Sequence, residues 1–321
     1  MILGQERAIE TFSSAWASRR LHHAWLLTGP RGVGKANFAR LALTRVLAEA
    51  AGPAIDLPNL ETPTDHPIAR LIAAGSHPDF RWLERLERPT GGLARNISVD
   101  QIRSLGDLLS VTPSLSPWRA IGIDAADDLE ASAANALLKM LEEPPPNTIF
   151  FLVSHAPGRL LPTIRSRCRR LDFARLADDA MTSLLGARLD PKLAAGIPGI
   201  VAAAEGSPGR ALAIAALDLA PLEREAQAIL RDGDLDNSRR SSLASSLGSK
   251  SGAERYAAFL EMIPGLIARE AIKLDGEGRG RALVAYARAR ETVALAPRLS
   301  LDPAATVFEL GTILASVALK R

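Results

Sequence analysis

Residues Gly29-Pro-Arg-Gly-Val-Gly-Lys35-Ala36 sit between a short apolar run, Ala24-Trp-Leu-Leu-Thr28, and a helical pattern with Phe38, Leu41, Ala42 and Val46 on one face. Strand, glycine turn and helix in that order are the context of a phosphate-binding loop, G-x-x-x-x-G-K-[ST]. Gly29, Gly32 and Gly34 let the backbone turn tightly and aim N–H groups inward, and Lys35 brings positive charge to a phosphate. The final position calls for a hydroxyl that holds Mg²⁺, and Ala36 has none. The loop is therefore read as built for a nucleotide, or for the shape of a nucleotide site, and poorly built to hydrolyse one.

Downstream, Arg119-Ala-Ile-Gly-Ile-Asp124 reads as a buried parallel strand ending in a carboxylate suited to Mg²⁺. Ala125 stands where a water-activating Glu commonly follows, which removes a group of the kind that contributes about 10²–10⁴-fold. Asp127 and Asp128 are the alternative carboxylates for that role, but at a helix start they are read as serving the dipole of the next helix, over 129–143, which Pro144-Pro-Pro146 stops. Thr148-Ile-Phe-Phe-Leu-Val153 is a further buried strand ending at Ser154, and Phe80-Arg-Trp-Leu83 a short one. Ser98-Val-Asp-Gln101 has capping-box form ahead of Ile102, Leu105 and Leu108. Alternating strands and helices to residue 172 predict a doubly wound α/β domain with a mainly parallel sheet.

Beyond Phe173 the chain becomes rich in Ala and Leu and helical, with breaks expected at Pro191, Pro198, Pro208, Pro221, Asp232-Gly233-Asp234, Gly276–Gly280 and Pro297. The expected domains are 1–172 (α/β), 173–215 (small helical lid) and 216–321 (all-α). Aromatics are only 4% of the 321 residues, which predicts a core packed mainly with Leu, Ile, Val and Ala. The net charge of +3 does not by itself argue for nucleic acid, and only six of the 39 basic residues are Lys. With one cysteine, Cys168, neither an intrachain disulfide nor a cysteine zinc cluster can form. No N-terminal apolar segment of signal type and no 18-residue apolar run is present, so a cytoplasmic location without membrane association is expected.

Thr163-Ile-Arg165-Ser166-Arg167-Cys168-Arg169-Arg170 has two readings, a solvated basic turn or an arginine finger. A finger guanidinium, planar and permanently charged, stabilises transition-state charge on a phosphate held by another subunit. His22 and His23 read as packing or surface positions. Cys168, set among arginines, is a candidate for a lowered thiol pKa but lacks a His–carboxylate set for nucleophilic work.

Taken together, Ile2-Leu-Gly-Gln-Glu6, Leu21-His-His-Ala24, Gly29–Lys35, His77-Pro-Asp79, Asn135-Ala-Leu-Leu-Lys139, Leu141-Glu-Glu-Pro-Pro145 and Ser166-Arg-Cys168 resemble the bacterial clamp-loader subunits of the AAA+ class. The resemblance covers about residues 1–172 well and the helical remainder only generally. It implies an AAA+ P-loop module, a helical lid and an all-α collar domain for oligomerisation. Ala36 and Ala125 depart from the hydrolysing members and resemble a member with a degenerate nucleotide site. By resemblance, Arg167 is a finger inserted into the ATP site of an adjacent gamma/tau subunit, and Ser154 takes the place of the sensor-1 residue. Implied partners are gamma/tau and delta, with sliding clamp and primed DNA engaged through the assembly.

Gly29, Gly32, Gly34, Lys35, Asp124 and Ser154 form the expected degenerate nucleotide site. Binding of ATP or ADP is left open, with Mg²⁺ weakly held. Relatives carry four zinc-binding cysteines in the region corresponding to 48–78; this chain has none there, so no zinc is expected. The Arg of the relatives' Gly-Ser-x-Arg motif is displaced by one residue in Gly206-Ser-Pro-Gly-Arg210, about 100° around a helix, so its role is not transferred. The rival readings are an active tau/gamma-like ATPase that tolerates Ala36 and a stand-alone AAA+ DNA-binding factor.

Overall fold

The structure, a computed structural model, describes residues 2–88, 93–249 and 252–318. It divides into two compact units. The first comprises residues up to Leu184 together with Glu205–Gly209, and the second comprises Leu185–Ala204 and residues from Arg210 onward.

The first unit is built on five strands: β1 (Ala24–Thr28), β2 (Phe80–Glu84), β3 (Arg119–Asp124), β4 (Thr148–Ser154) and β5 (Arg169–Asp172). They lie in the order β2-β3-β4-β1-β5, and every pairing is parallel. Around the sheet run α1 (Glu6–Ala17), α2 (Lys35–Ala51), α3 (Pro67–Ala73), α4 (Val99–Arg103), α5 (Leu105–Ser110), α6 (Ala131–Glu142) and α7 (Pro162–Ser166). Alternate residues of each central strand face opposite layers. Trp25, Leu27, Phe151 and Val153 join one core with Phe12 of α1 and Phe38 of α2. Leu26, Ile121, Ile123, Phe150 and Leu152 join the other with Ile102 of α4 and Leu137 of α6. Burial of both faces is why β1, β3 and β4 read as unbroken apolar runs.

Both cores are mainly aliphatic, as expected, and one side of the sheet adds an aromatic cluster. Phe12, Trp25, Phe38, Phe151 and Phe173 gather there, with ring centroids 5.4 Å apart for Phe12–Trp25 and 5.1 Å for Phe38–Phe173. The capping box forms as expected: the Gln101 N–H donates to Ser98 Oγ at 3.3 Å and the Ser98 N–H to Gln101 Oε1 at 3.1 Å. The basic run, read as a turn, contains α7 and enters edge strand β5, in which only Leu171 is buried.

The segment after α2 has little regular structure of its own and is held by Arg45, a side chain only 9% exposed. Its guanidinium donates to the carbonyls of Ile55, Leu57 and Glu61 and pairs with Glu49. Glu49 in turn accepts from Ile55 N–H and from Trp16 Nε1. One buried ion pair thus answers several backbone groups that the segment cannot satisfy internally.

The helices continue with α8 (Asp178–Arg188), α9 (Ile197–Ala204), α10 (Pro208–Ala216), α11 (Ala220–Asp232), α12 (Ser238–Leu247), α13 (Ala253–Lys273), α14 (Gly276–Leu299) and α15 (Pro303–Ala315). In the second unit, the buried carboxylates Asp234 and Glu223 pair with Arg240 at 3.0 Å and Arg269 at 2.9 Å. Two expected breaks are corrected. Gly276–Gly280 forms the first turn of α14, and Pro297 lies in its last turn. The interruption itself falls just before the glycines, at Leu274–Asp275, and the helix ends two residues after Pro297, at Leu299. No described helix is long and apolar enough to cross a membrane.

All four tryptophans (Trp16, Trp25, Trp82 and Trp118) lie in the first unit, so their fluorescence reports on that unit alone. Phe12→Ala is expected to lower its unfolding free energy by about 3–5 kcal/mol in urea titrations followed by fluorescence.

Candidate functional site: the loop after β1 and the arginine after α7

The carboxyl ends of the parallel strands share one edge. Thr28 of β1 is in register with Ser154 of β4, Asp124 of β3 with Val153, and Glu84 of β2 with Asp124. Gly29, Asp124 and Ser154, far apart in sequence, are thereby brought to the rim where open α/β sheets bind ligands.

The backbone dictates the glycines. Gly29 has φ +147°, and a Cβ there would lie 2.3 Å from the Phe173 carbonyl oxygen. Gly34 has φ +100° and stands immediately before α2, so the loop feeds its N–H groups into a helix N-terminus. Lys35 is 3% exposed. Its ammonium donates to the carbonyls of Gly29 at 2.7 Å and Pro30 at 2.6 Å. Burial pulls the ammonium pKa down to about 8, against the opposing pull of Asp124 and Asp127. Burial, then Glu84, holds the Asp124 carboxyl above its ordinary value, with Arg40, Lys35 and Arg31 opposing.

Two contacts were missed in the sequence. Ser207 Oγ donates to the Arg31 carbonyl at 3.0 Å, and the Gly209 N–H donates to the Gly32 carbonyl at 2.9 Å. A Cβ on Gly209 would sit 3.0 Å from Gly32 Cα. The stretch Gly206–Gly209 therefore braces the loop through its backbone and one hydroxyl. Asp127 also needs reassignment from helix-dipole duty. It lies in a short 3₁₀ turn, Ala126–Asp128, and accepts from Ser154 Oγ at 2.8 Å, His155 N–H at 2.5 Å and Ala156 N–H at 3.3 Å. Its carboxylate fixes the exit of β4, and the fully buried Ser154 hydroxyl is committed to it. Asp128 pairs with Arg85 at 3.2 Å.

The donor set fits a phosphate: backbone N–H groups, a helix N-terminus and a buried ammonium. It does not fit Mg²⁺ held in the usual way, because position 36 supplies a methyl group where a hydroxyl ligand belongs. Ala125, 6% exposed, likewise brings no carboxylate beside Asp124. Among the described residues, no group of three or more His, Cys, Asp or Glu side chains is arranged to hold a metal.

At the other motif, Arg167 directly follows α7. Its Nη1 donates to the Thr163 carbonyl at 3.0 Å, and its Nη2 lies 2.7 Å from Glu142 Oε1 at the end of α6. The neighbouring arginines are engaged at the sheet edge: Arg169 lies over the Trp25 ring at 4.8 Å, and Arg170 pairs with Asp172 at 2.7 Å. Cys168 corrects the expectation that arginines would depress its thiol pKa. Burial wins and pushes the thiol up to about 12. His23 has a packing role, its Nε2 lying 3.1 Å from the Leu141 carbonyl; burial and His22 lower its pKa.

The Lys35 shift sets a sign. Its folded pKa lies below the unfolded value, so between about pH 8 and 10.5 the unfolded chain binds more protons and stability rises with pH. Lys35→Met abolishes this contribution. The stability advantage of the variant over the parent chain is expected to shrink as pH rises through that window, as measured by paired urea titrations.

Comparison with known proteins places this geometry in a family. The family described as "DNA polymerase III, delta subunit" matches residues 4–177, more than half of the chain. DNA polymerase III subunit delta' of Pseudomonas aeruginosa is 38% identical over 148 residues, 46% of this chain and 41% of that protein. DNA polymerase III subunit tau of Bacillus subtilis is 32% identical over 189 residues, 59% of this chain and 31% of that one. Subunit delta' of B. subtilis is 34% identical over 183 residues, 56% of this chain and 51% of the relative. The matches thus span about a third to a half of the relatives' lengths. The matched region contains the glycine loop, Asp124, Ser154 and Arg167, and the chain belongs to the clamp-loader family of DNA polymerase III subunits.

Proposed function

We propose that this chain is a delta-prime-like subunit of the DNA polymerase III clamp loader. In this role it is a stator that does not hydrolyse ATP and lends Arg167 to the ATP site of a neighbouring gamma/tau subunit. The observation that carries the reading is an asymmetry. The home site has lost the hydroxyl at position 36 and the carboxylate at position 125, while a guanidinium at the end of α7 remains half-exposed and fixed in place. An arginine supplied in trans is worth about 10³–10⁵ in phosphoryl-transfer rate, so retaining that group serves the assembly even when the home loop is silent.

Residues 1–172 then act as the AAA+ module, 173–215 as its lid and 216–321 as the collar that joins gamma/tau and delta. Sliding clamp and primed DNA are engaged by the assembly. In this reading Ser154 occupies the sensor-1 place, and its hydroxyl, committed to Asp127, stiffens the rim. Backbone donors and Lys35 retain ATP or ADP in the ground state with weakened Mg²⁺ coordination. The rival, a hydrolysing tau-like motor, draws support from the longer match to tau and from intact Lys35 and Asp124. It leaves unexplained how Mg²⁺ and the attacking water are held.

In an assembly reconstituted with gamma/tau and delta, Arg167→Ala is expected to lower DNA-stimulated ATPase activity at least about tenfold. An unchanged rate at full incorporation of the variant excludes the finger.

A further inference from the structure

We propose that Glu142 is the positioning residue for Arg167, holding the guanidinium in the orientation in which it meets a phosphate; this rests on the finger reading above. Two acceptors from different helices grip one guanidinium. The Thr163 carbonyl of α7 accepts from Nη1 at 3.0 Å, and the Glu142 carboxylate lies 2.7 Å from Nη2. Both acceptors are anchored. Glu142 is the last residue of α6, and the adjoining Leu141 is 1% exposed in the core with its carbonyl 3.1 Å from His23 Nε2. Thr163 precedes the fully buried Ile164, which packs in the same core as Leu141.

A guanidinium on a free four-bond stem samples many rotamers, and ordering it on engagement costs free energy. Two fixed acceptors meet that cost in advance. A guanidinium carries five N–H donors, so donors remain for a phosphate. The pair is 35% and 46% exposed on its two sides, and pairs this open add little to stability. Its consequence is therefore orientation and not folding. It also explains in physical terms why Leu141-Glu-Glu-Pro-Pro145 and Ser166-Arg-Cys168 occur together, since the end of one motif holds the centre of the other.

Orientation and charge make opposite predictions for substitutions at Glu142. Gln keeps an acceptor without the charge, whereas Ala removes both. The test is a double-mutant cycle in the reconstituted assembly, with kcat and KM for ATP measured for Glu142→Gln, Glu142→Ala, Arg167→Ala and the Glu142→Ala/Arg167→Ala double variant. Positioning predicts that Glu142→Ala lowers kcat about fivefold at unchanged KM, and that Glu142→Gln stays within about twofold of the parent. It predicts no further loss in the Arg167→Ala background. Melting temperatures of parent and Glu142→Ala are expected to agree within about 2 °C, which separates the effect from misfolding. Higher kcat in both Glu142 variants would mean that the carboxylate restrains the finger, and the proposal fails. It fails equally if Glu142→Ala is silent, or if its loss persists in full without Arg167. An inert Arg167→Ala removes the finger reading itself, a result distinct from a strong Arg167 effect beside a silent Glu142.

Discussion

The approach of Gly29 to the carbonyl of Phe173 fixes the geometry on which the rest depends. The Phe173 N–H donates to the Thr28 carbonyl at 2.7 Å, so the end of β1 and the chain leaving β5 are joined where the glycine loop begins. No side chain fits there, and φ at Gly29 lies outside the range that L residues favour. The joint has a functional consequence, because β5 is the strand reached directly from Arg167. The glycine loop and the segment that carries Arg167 are thus joined through β5 across the sheet edge.

Electrostatics at the two ends differ in kind. At the loop, Lys35 is buried and Asp124 half-buried, and each is pushed by desolvation toward its neutral form while the other opposes the shift. Position 125, directly after Asp124, is an alanine and brings no group to activate water. Arg167, by contrast, is held at a half-exposed position between the Glu142 carboxylate and the Thr163 carbonyl. The proposed division of labour rests on this contrast between a fixed surface cation and a phosphate-type loop without the hydroxyl at position 36 or a carboxylate at position 125.

Much of this was legible in the sequence. Phe150, Phe151 and their neighbours announce a doubly buried strand, and Gly29 to Lys35 announce the loop, because those constraints are local. What escaped depends on distance in the chain or on context. β5 buries only Leu171, so no apolar pattern marks it. Asp127 resembles a helix-start acid until the exit of β4 comes within reach of it. Ser207 and Gly209 brace a loop some 175 residues away, at Arg31 and Gly32, through contacts that no periodicity encodes. Cys168 misled by its neighbours, since burial outweighs nearby guanidinium groups. The Glu142–Arg167 pair was present only as two motifs with no stated connection.

Steady-state ATPase assays on the purified, solitary chain, with Lys35→Ala as the contamination control, test the division of labour most directly. The expected result is no Mg²⁺-dependent turnover above that control. Turnover that Mg²⁺ supports and Lys35→Ala abolishes would show that this chain runs its own chemistry, and would contradict its assignment as a stator.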